Sequence, residues 1–183
     1  SDNAPATFAN TRTDAPAAVG GDISVASFNV LNYFTTLGAD TAGCVAYKDR
    51  DGNGVTVSTG CNPRGAWGAD DLARQQAKIV AAINGLDASV VGLMEIENSA
   101  KLGETPDEAT ATLVAALNAA AGSEKWAYVH SSKDLPPLSQ QDVITSAIIY
   151  QTAEVTPVGE ARALGSKSAA GQPFVNAREP IGQ

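Results

Sequence analysis

The sequence predicts a domain of mixed α/β (α+β) class. Two observations carry this prediction: strand-like and helical segments alternate over the first two thirds of the chain, and mostly strand-like segments follow. The length of 183 residues suits one compact domain with a substantial core. A single α/β domain is therefore the expected architecture.

Each element follows from a local pattern of apolar and polar residues. An alternating strand begins near Ile23 and ends near Asn29, and a continuous apolar strand covers residues 88–94. Between them, apolar residues at helical spacing predict a helix over residues 70–86 with Asp70 as its cap. The segment TPDE, with Thr105 as cap and Glu108 reaching back, predicts a second helix that ends at Gly122. Further strands are predicted at 126–130, 143–150 and 154–158.

The remaining segments are less regular. Residues 1–20 are rich in Ala, Pro, Asn, Thr and Asp, which predicts an extended lead-in ahead of a domain over 21–183. Residues 35–68 form a long connection with little pattern, as functional or cross-linked loops often do. Phe174 and Val175 indicate the start of one more strand.

Composition limits the classes of function. The net charge of −8 argues against a passive nucleic-acid-binding module, which usually presents a basic face. It does not exclude an enzyme that meets phosphates through bound divalent cations. The sequence has no apolar run long enough to span a bilayer, so no membrane partner is predicted.

The two cysteines, Cys44 and Cys61, flank a polar stretch rich in Gly, Asp and Asn. Neither lies in an apolar run where a buried free thiol would be expected. A disulfide and an oxidising, extracellular compartment are favoured, and two unpaired thiols are the alternative.

Asn29 and Glu95 lie at the carboxyl ends of two predicted strands. Ligands of open α/β sheets gather at such ends, and a carboxylate with a carboxamide offers oxygen donors that suit Mg²⁺, Mn²⁺ or Ca²⁺. The alternative is that Glu95 merely reaches the surface and Asn29 caps a turn.

Two further candidates have ordinary structural interpretations. The segment DRDGNG places Asp49, Asp51 and Asn53 at the alternating positions that open a calcium loop, but its twelfth position would be Gly60 rather than Glu. A polar turn is therefore favoured over a calcium site. His130, the only histidine, follows a strand-like segment and is interpreted as a surface residue rather than a general base.

Several motifs together carry a resemblance to a known family. In order they are VASFNVLNYF, RGA with RQQAKIVAAI, VVGLMEIEN, DVITSAIIY and AREP. This series resembles the endonuclease/exonuclease/phosphatase superfamily, most closely its secreted bacterial extracellular nucleases, relatives of pancreatic deoxyribonuclease. The resemblance implies a four-layer α/β/β/α sandwich that hydrolyses phosphodiester bonds of DNA or RNA with Mg²⁺ or Mn²⁺.

The resemblance also assigns roles to individual residues. It implies that Glu95 coordinates the metal and that Asn29 helps to bind metal and phosphate. Asp142 stands where the family has an acidic residue that orients the catalytic histidine, and Arg178 matches an arginine near the substrate phosphate. Glu97 and Asn98 are then left to a solvated turn after the motif.

The sequence departs from the family after the arginine motif. The general-base histidine, the Asp and Asn of a GDxN motif and a closing Asp-His pair would all follow AREP, and none is present. The resemblance therefore implies an N-terminal portion of the domain, inactive alone, which could dimerise through an incomplete sheet. Two alternatives remain: a phosphatase or phospholipid-headgroup phosphodiesterase of the same superfamily, and an extracellular calcium-binding or adhesion module.

Overall fold

A computed structural model describes residues 6–13, 15–175 and 177–183. The strands are β1 (Val25–Tyr33), β2 (Val45–Lys48), β3 (Gly54–Thr59), β4 (Val90–Glu97), β5 (Trp126–Tyr128), β6 (Ile144–Gln151), β7 (Arg162–Ala163) and β8 (Ile181–Gly182). The α-helices are α1 (Ala69–Leu86) and α2 (Glu108–Ala121). Short 3₁₀ helices cover Ser99–Leu102, Leu138–Gln140 and Gly165–Lys167. The mixed α/β class predicted from the sequence is confirmed.

The principal sheet has four strands in the order β1-β4-β6-β5. β1 and β4 are parallel, which requires the long crossover that contains the β2–β3 hairpin and α1. β6 runs antiparallel to β4 and β5. This arrangement brings the carboxyl ends of β1 and β4 and the amino end of β6 to the same edge of the sheet.

Both α-helices pack on one face of this sheet and form the core. Ile83 of α1 and Leu117 of α2 are fully buried against Val91, Leu93 and Ile149 of the central strands. Full burial of one such side chain contributes about 1.5–3 kcal/mol. This face fixes the positions of β1 and β4, and therefore of the side chains at their ends.

The opposite face of the sheet is only partly covered. Ile148 and Tyr150 are half-buried, and Val25 at the edge is 75% exposed. Residues 155–158 and the β7–β8 ribbon border two clefts on this side, of about 350 and 320 Å³. The described residues thus form one helical layer on one main sheet, and the second pair of layers implied by the family resemblance is not among them. Dimerisation through this face stays a prediction.

The helix ends confirm one predicted cap and correct two others. Gly122 ends α2 with a left-handed φ of 69°, as predicted. The prediction that Thr105 caps α2 is wrong, because Asp107 occupies that position; the Glu108 carboxylate nevertheless accepts a hydrogen bond from the Thr105 amide at 3.2 Å. The prediction that Asp70 caps α1 is wrong: Gly68 occupies that position, and the Asp71 carboxylate accepts its N–H at 3.0 Å.

Several strand predictions are also corrected. β1 continues to Tyr33 and β4 to Glu97, beyond the predicted ends near Asn29 and Met94. The region 35–68 contains the unpredicted β2–β3 hairpin, whereas residues 154–158 form no strand. Phe174 and Val175 lie in a turn, where the Phe174 N–H donates to the Lys167 carbonyl.

The predicted disulfide between Cys44 and Cys61 is present and joins the two ends of the hairpin segment. A crosslink at this point restricts the unfolded hairpin and favours its folded form. Disulfides persist in oxidising compartments, so this bond is consistent with a secreted protein.

The predicted lead-in contains no helix or strand where the structure describes it. Residues 6–13 and 15–20 are exposed and irregular. Residues 1–5 and 14 of this segment lie outside the described residues.

Candidate functional site

The candidate site is built on two neighbouring bulges, one in β1 and one in β4. The parallel ladder pairs Asn29 with Met94 and resumes only where Tyr33 pairs with Ile96, so three residues of β1 lie opposite Glu95 alone. On its other side β4 pairs Leu93 with Ala147 and Ile96 with Thr145, so Met94 and Glu95 lie opposite one residue of β6. Glu95 therefore lies in an irregular stretch of both ladders. Bulges of this kind redirect side chains and are frequent beside active sites.

The backbone at these bulges is strained. Leu31, Asn32 and Glu95 have φ values of 52°, 52° and 61°, in the left-handed region. This region costs an L-residue other than Gly roughly 1–2 kcal/mol, although Asn tolerates it better. Strained residues held by their surroundings are concentrated at functional sites, which favours a functional role for this edge.

The β1 bulge is held by two side-chain amides. The Asn29 Oδ1 accepts a hydrogen bond from the Leu31 amide at 2.7 Å. Gln75 of α1 donates from Nε2 to the carbonyls of Val30 and Leu31, at 3.2 and 2.8 Å. The Asn29 bond satisfies a backbone amide, the Gln75 bonds satisfy backbone carbonyls beside the interrupted ladder, and together they hold the bulge in place.

The two carboxylates of the motif MEIE have opposite environments. Glu95 is half-buried, and its carboxylate makes no hydrogen bond or ion pair with any residue that the structure describes. Glu97 is 2% exposed. Its carboxylate accepts hydrogen bonds from the Thr35 hydroxyl at 3.1 Å, the Thr36 amide at 2.9 Å and the Ser99 hydroxyl at 2.8 Å.

The assignment of Glu97 and Asn98 to a solvated turn is therefore wrong. Glu97 is the buried end of β4, and it joins this strand to the loop after β1. Asn98 donates from Nδ2 to the Gln141 side chain at 2.8 Å and to the Asp142 carbonyl at 3.0 Å. Both residues connect the elements that surround Glu95, and of these three side chains only that of Glu95 has no hydrogen-bond partner among the described residues.

Asp142 and Arg178 lie together at the same edge, with Arg64 as a third member. The Arg64 Nη2 donates to the Asp142 Oδ1 at 2.8 Å, and the Arg178 Nε lies 3.6 Å from Oδ2. All three side chains are partly exposed, at 46% for Arg64, 34% for Asp142 and 40% for Arg178. Two guanidinium groups around one carboxylate leave donors free for an anionic ligand.

The partner of Asp142 differs from the histidine that the family role requires. His130 is 82% exposed, and its Nδ1 lies 3.6 Å from the Asp107 carboxylate, on a different part of the surface. The prediction that His130 is a surface residue is confirmed. The orienting role of Asp142 stays a prediction.

Sequence reasoning missed Arg64, Gln75 and Glu97. Arg64 and Gln75 stand inside RGA and RQQ, two of the strings that carry the resemblance, so their position in those strings was the available signal. Gly65, which follows Arg64, shows why this string is constrained. A Cβ there would lie 2.5 Å from the Cβ of Phe34, so the backbone that carries Arg64 packs directly on the chain after β1.

The donor types of Glu95 and Asn29 suit a hard divalent cation. One unpaired carboxylate and a carboxamide oxygen with a remaining lone pair are donors that Mg²⁺ accepts together with water and substrate phosphate. Within the described ranges, no group of three or more His, Cys, Asp or Glu residues is arranged to hold a metal ion. A cation here would therefore keep several ligands from water or substrate.

The calcium-like segment lies at the tip of the β2–β3 hairpin, away from this site. The Asp49 Oδ1 accepts the amides of Asp51 and Asn53, both at 2.9 Å, and Oδ2 accepts the Asn53 side chain at 3.2 Å. These hydrogen bonds, first of all from the Asn53 amide, lower the pKa of the Asp49 carboxyl. The arrangement favours a polar turn, and calcium binding stays a prediction.

Tyr33 provides a pH-dependent test of the packing beneath the site. It is fully buried and donates to the Gln76 side chain at 2.5 Å. Burial, and secondarily the nearby Glu97 carboxylate, raises the pKa of the Tyr33 phenol well above its ordinary value. The neutral phenol is therefore favoured in the folded protein.

We expect stability to fall as pH rises above about 10, the phenol pKa in the unfolded chain. Below that pH the contribution of Tyr33 is fully present, and it is lost as pH rises through the folded-state pKa. Urea unfolding from pH 8 to 11 would measure this effect. Tyr33→Phe should lose about 1 kcal/mol at pH 8 but show a shallower alkaline decline. Equal pH slopes in Tyr33→Phe and wild type, with the exposed Tyr47→Phe as control, would contradict the assignment.

Comparison of the chain with protein-family models, with curated proteins and with solved structures gave no match. The family resemblance of the ordered motifs therefore stays a prediction, and the geometry of the site has to carry the functional argument. In the described part of the chain, no helix has the length and apolar character needed to cross a bilayer.

Proposed function

We propose that this chain acts in metal-dependent hydrolysis of phosphodiester bonds in nucleic acid, as part of a secreted nuclease. The observation that carries the proposal is the Glu95 carboxylate, which has no partner among the described residues and lies on strained backbone beside Asn29. The order of the sequence motifs and the Cys44–Cys61 disulfide also support it.

Glu95 and Asn29 would hold Mg²⁺ or Mn²⁺. Such a cation polarises a phosphoryl oxygen and stabilises the charge that develops on it. Glu95 supplies the anionic ligand, and the Asn29 carboxamide is already oriented by the Leu31 amide. The Gln75 contacts attach the β1 bulge, which follows Asn29, to α1.

Arg64 and Arg178 would bind the non-bridging oxygens of the phosphate. Guanidinium groups offer paired N–H donors that match phosphate geometry. Asp142 lies between them and restricts their orientation. This carboxylate also lowers the electrostatic cost of placing two cations at one edge in the absence of substrate.

The described residues of this edge include no general base. The single histidine of the chain, His130, lies beside Asp107 instead. A missing base commonly costs about 10²–10⁴-fold in rate. We therefore expect this chain alone to bind cation and nucleic acid but to cleave slowly.

The proposal is tested by Mn²⁺ binding and by nicking of supercoiled plasmid. Electron paramagnetic resonance of free Mn²⁺ should show binding to the chain, and anisotropy of a labelled DNA duplex should show tighter binding with Mn²⁺ than with EDTA. Prolonged incubation with Mg²⁺ or Mn²⁺ should yield nicked plasmid, and EDTA should abolish nicking.

Three outcomes decide between the alternatives. Absence of both Mn²⁺ binding and cation-dependent DNA binding would contradict the proposal. Faster turnover of a phosphomonoester or of a phospholipid headgroup than of DNA or RNA would favour the other branches of the resemblance. Rapid plasmid cleavage by this chain would support a nuclease but contradict the need for a base outside the described residues.

A further inference from the structure

A cleft of about 790 Å³ lies between the β2–β3 hairpin and α1. Asn29, whose strand partner Met94 precedes Glu95 of the proposed metal site, lines the cleft together with Arg64. Tyr47 contributes from the hairpin, and Arg74 and Lys78 from α1. The cleft therefore shares Asn29 and Arg64 with the proposed site, and it is larger than one phosphate group requires.

The cleft is positively charged although the chain is acidic. Arg64, Arg74 and Lys78 are opposed in the lining only by Asp71, which gives a formal balance of three positive charges and one negative. Outside the lining, Asp142 and Arg178 adjoin Arg64 and offset each other. A local charge of about +2 stands against −8 for the whole chain, so the cleft is suited to an anionic ligand.

The charged side chains on α1 form one row. Asp71, Arg74 and Lys78 are spaced three and four residues apart and therefore share a helix face. Asp71 is paired with Arg74 and also accepts the Gly68 amide, whereas Lys78 is exposed and has no ion pair with another described residue. Of the charged residues on this face of α1, Lys78 is therefore the one that can bind an anion without first breaking an ion pair.

The opposite wall of the cleft is held in place before any ligand binds. The Val57 amide donates to the Gly65 carbonyl at 2.9 Å, and the Trp67 amide donates to the Val55 carbonyl at 3.0 Å. These bonds attach the segment that carries Arg64 to the hairpin, and the disulfide joins the hairpin ends. Tyr47 projects from this wall with 62% of its surface exposed, which leaves its ring free for stacking.

We propose that this hairpin cleft binds the sugar–phosphate backbone of the nucleic-acid strand adjacent to the phosphate held at Asn29 and Glu95. Arg74 and Lys78 contact successive phosphates, and Tyr47 packs on a base or sugar. The inference rests on the proposed function and extends it, because it assigns the chain's recognition of substrate to residues that make no contact with the scissile phosphate.

The test is the salt dependence of binding to a labelled DNA duplex, measured by fluorescence anisotropy with Mn²⁺ present. Each phosphate contact contributes about −0.9 to the slope of log K against log salt concentration. The double variant Arg74→Gln/Lys78→Gln should therefore reduce the magnitude of this slope by about 2. It should also weaken binding by about tenfold or more at low salt. Tyr47→Ala should weaken binding with an unchanged slope, because stacking releases no counterions.

Lys133→Gln/Lys167→Gln is the matched control. It makes the same change in net charge at two exposed lysines that do not line the cleft. Similar losses of slope in both double variants would overturn the proposal, because only long-range charge would then matter. Thermal unfolding and Mn²⁺ binding of each variant separate loss of the cleft from loss of the fold.

The single variant Lys78→Gln gives a second measurement that does not depend on the Asp71–Arg74 pair. It should reduce the magnitude of the salt-dependence slope by about 1, and an unchanged slope would contradict the proposed contact. Failure of the proposed function gives a different result, namely absence of Mn²⁺ binding in wild type. Mn²⁺ binding with equal DNA affinity in wild type and all cleft variants would refute this inference alone.

Discussion

Replacement of Glu97 by Leu should lower the free energy of unfolding by about 3 kcal/mol, the largest stability loss that we expect from one substitution near the site. The Glu97 carboxylate accepts three hydrogen bonds, from the Thr35 hydroxyl, the Thr36 amide and the Ser99 hydroxyl. Leu removes the acceptor but leaves these donors in place, and an unsatisfied buried donor costs roughly 1–3 kcal/mol. Urea unfolding monitored by tryptophan fluorescence would measure the loss.

Glu97→Gln is the informative companion variant. Its side-chain carbonyl can still accept from one or two of the donors, so the loss should be about 1 kcal/mol, clearly smaller than for Leu. Glu154→Gln, at an exposed position, should change stability by less than about 0.5 kcal/mol. Equal stability of Glu97→Leu and wild type would show that the buried donors find other partners and that Glu97 does not hold this edge together.

The contrast between Glu95 and Glu97 marks the limit of prediction from sequence at this site. In a regular strand, residues two apart lie on the same face, so both carboxylates would have similar environments. The bulge at Glu95, with its φ of 61°, breaks this alternation. The sequence singled out Glu95 through its family resemblance, but the burial of Glu97 depends on Thr36 and Ser99, which only the fold brings to it.

Elements with a strong apolar pattern were predicted well, and elements defined by pairing were not. α1 buries Ile79, Val80 and Ile83 as the helical spacing indicated. The β2–β3 hairpin was missed because its exposed residues, among them Val45 and Tyr47, give no one-sided apolar signal. Its stability comes from ladder pairing, the disulfide and contacts with residues 65–67, which are not local properties of either strand.

The group of Arg64, Asp142 and Arg178 was only partly predicted, for a related reason. Asp142 and Arg178 were proposed from motifs, but the contact between Arg64 and Asp142 joins residues 78 positions apart. Gln75 likewise reaches the β1 bulge across 44 positions to the Leu31 carbonyl. Sequence patterns describe single elements, whereas these contacts depend on how α1, the hairpin and β6 meet at one edge of the sheet.

Substitution of Glu95 should separate stability from function. Both Glu95→Gln and Glu95→Asn remove the anionic donor, so each should weaken Mn²⁺ binding by about 100-fold or more and abolish cation-dependent nicking of plasmid. Their stabilities should differ, because Asn tolerates the left-handed region that Glu95 occupies and Gln does not. We expect Glu95→Asn to be more stable than Glu95→Gln by about 0.5–1 kcal/mol.

The comparison of these two variants tests whether the strain at Glu95 is maintained for function. Urea unfolding in EDTA measures stability without any contribution from bound cation, and Mn²⁺ titration measures the site, with Glu154→Gln as a control for loss of one negative charge. Wild-type Mn²⁺ affinity in either Glu95 variant would remove Glu95 from the proposed site. Equal stability of the two variants would show that the surrounding ladders absorb the cost of the bulge. The expected result is a Glu95→Asn variant that is more stable than Glu95→Gln and does not bind Mn²⁺. It would show that the chain gives up stability at this position to keep a carboxylate free of protein partners, as a cation ligand requires.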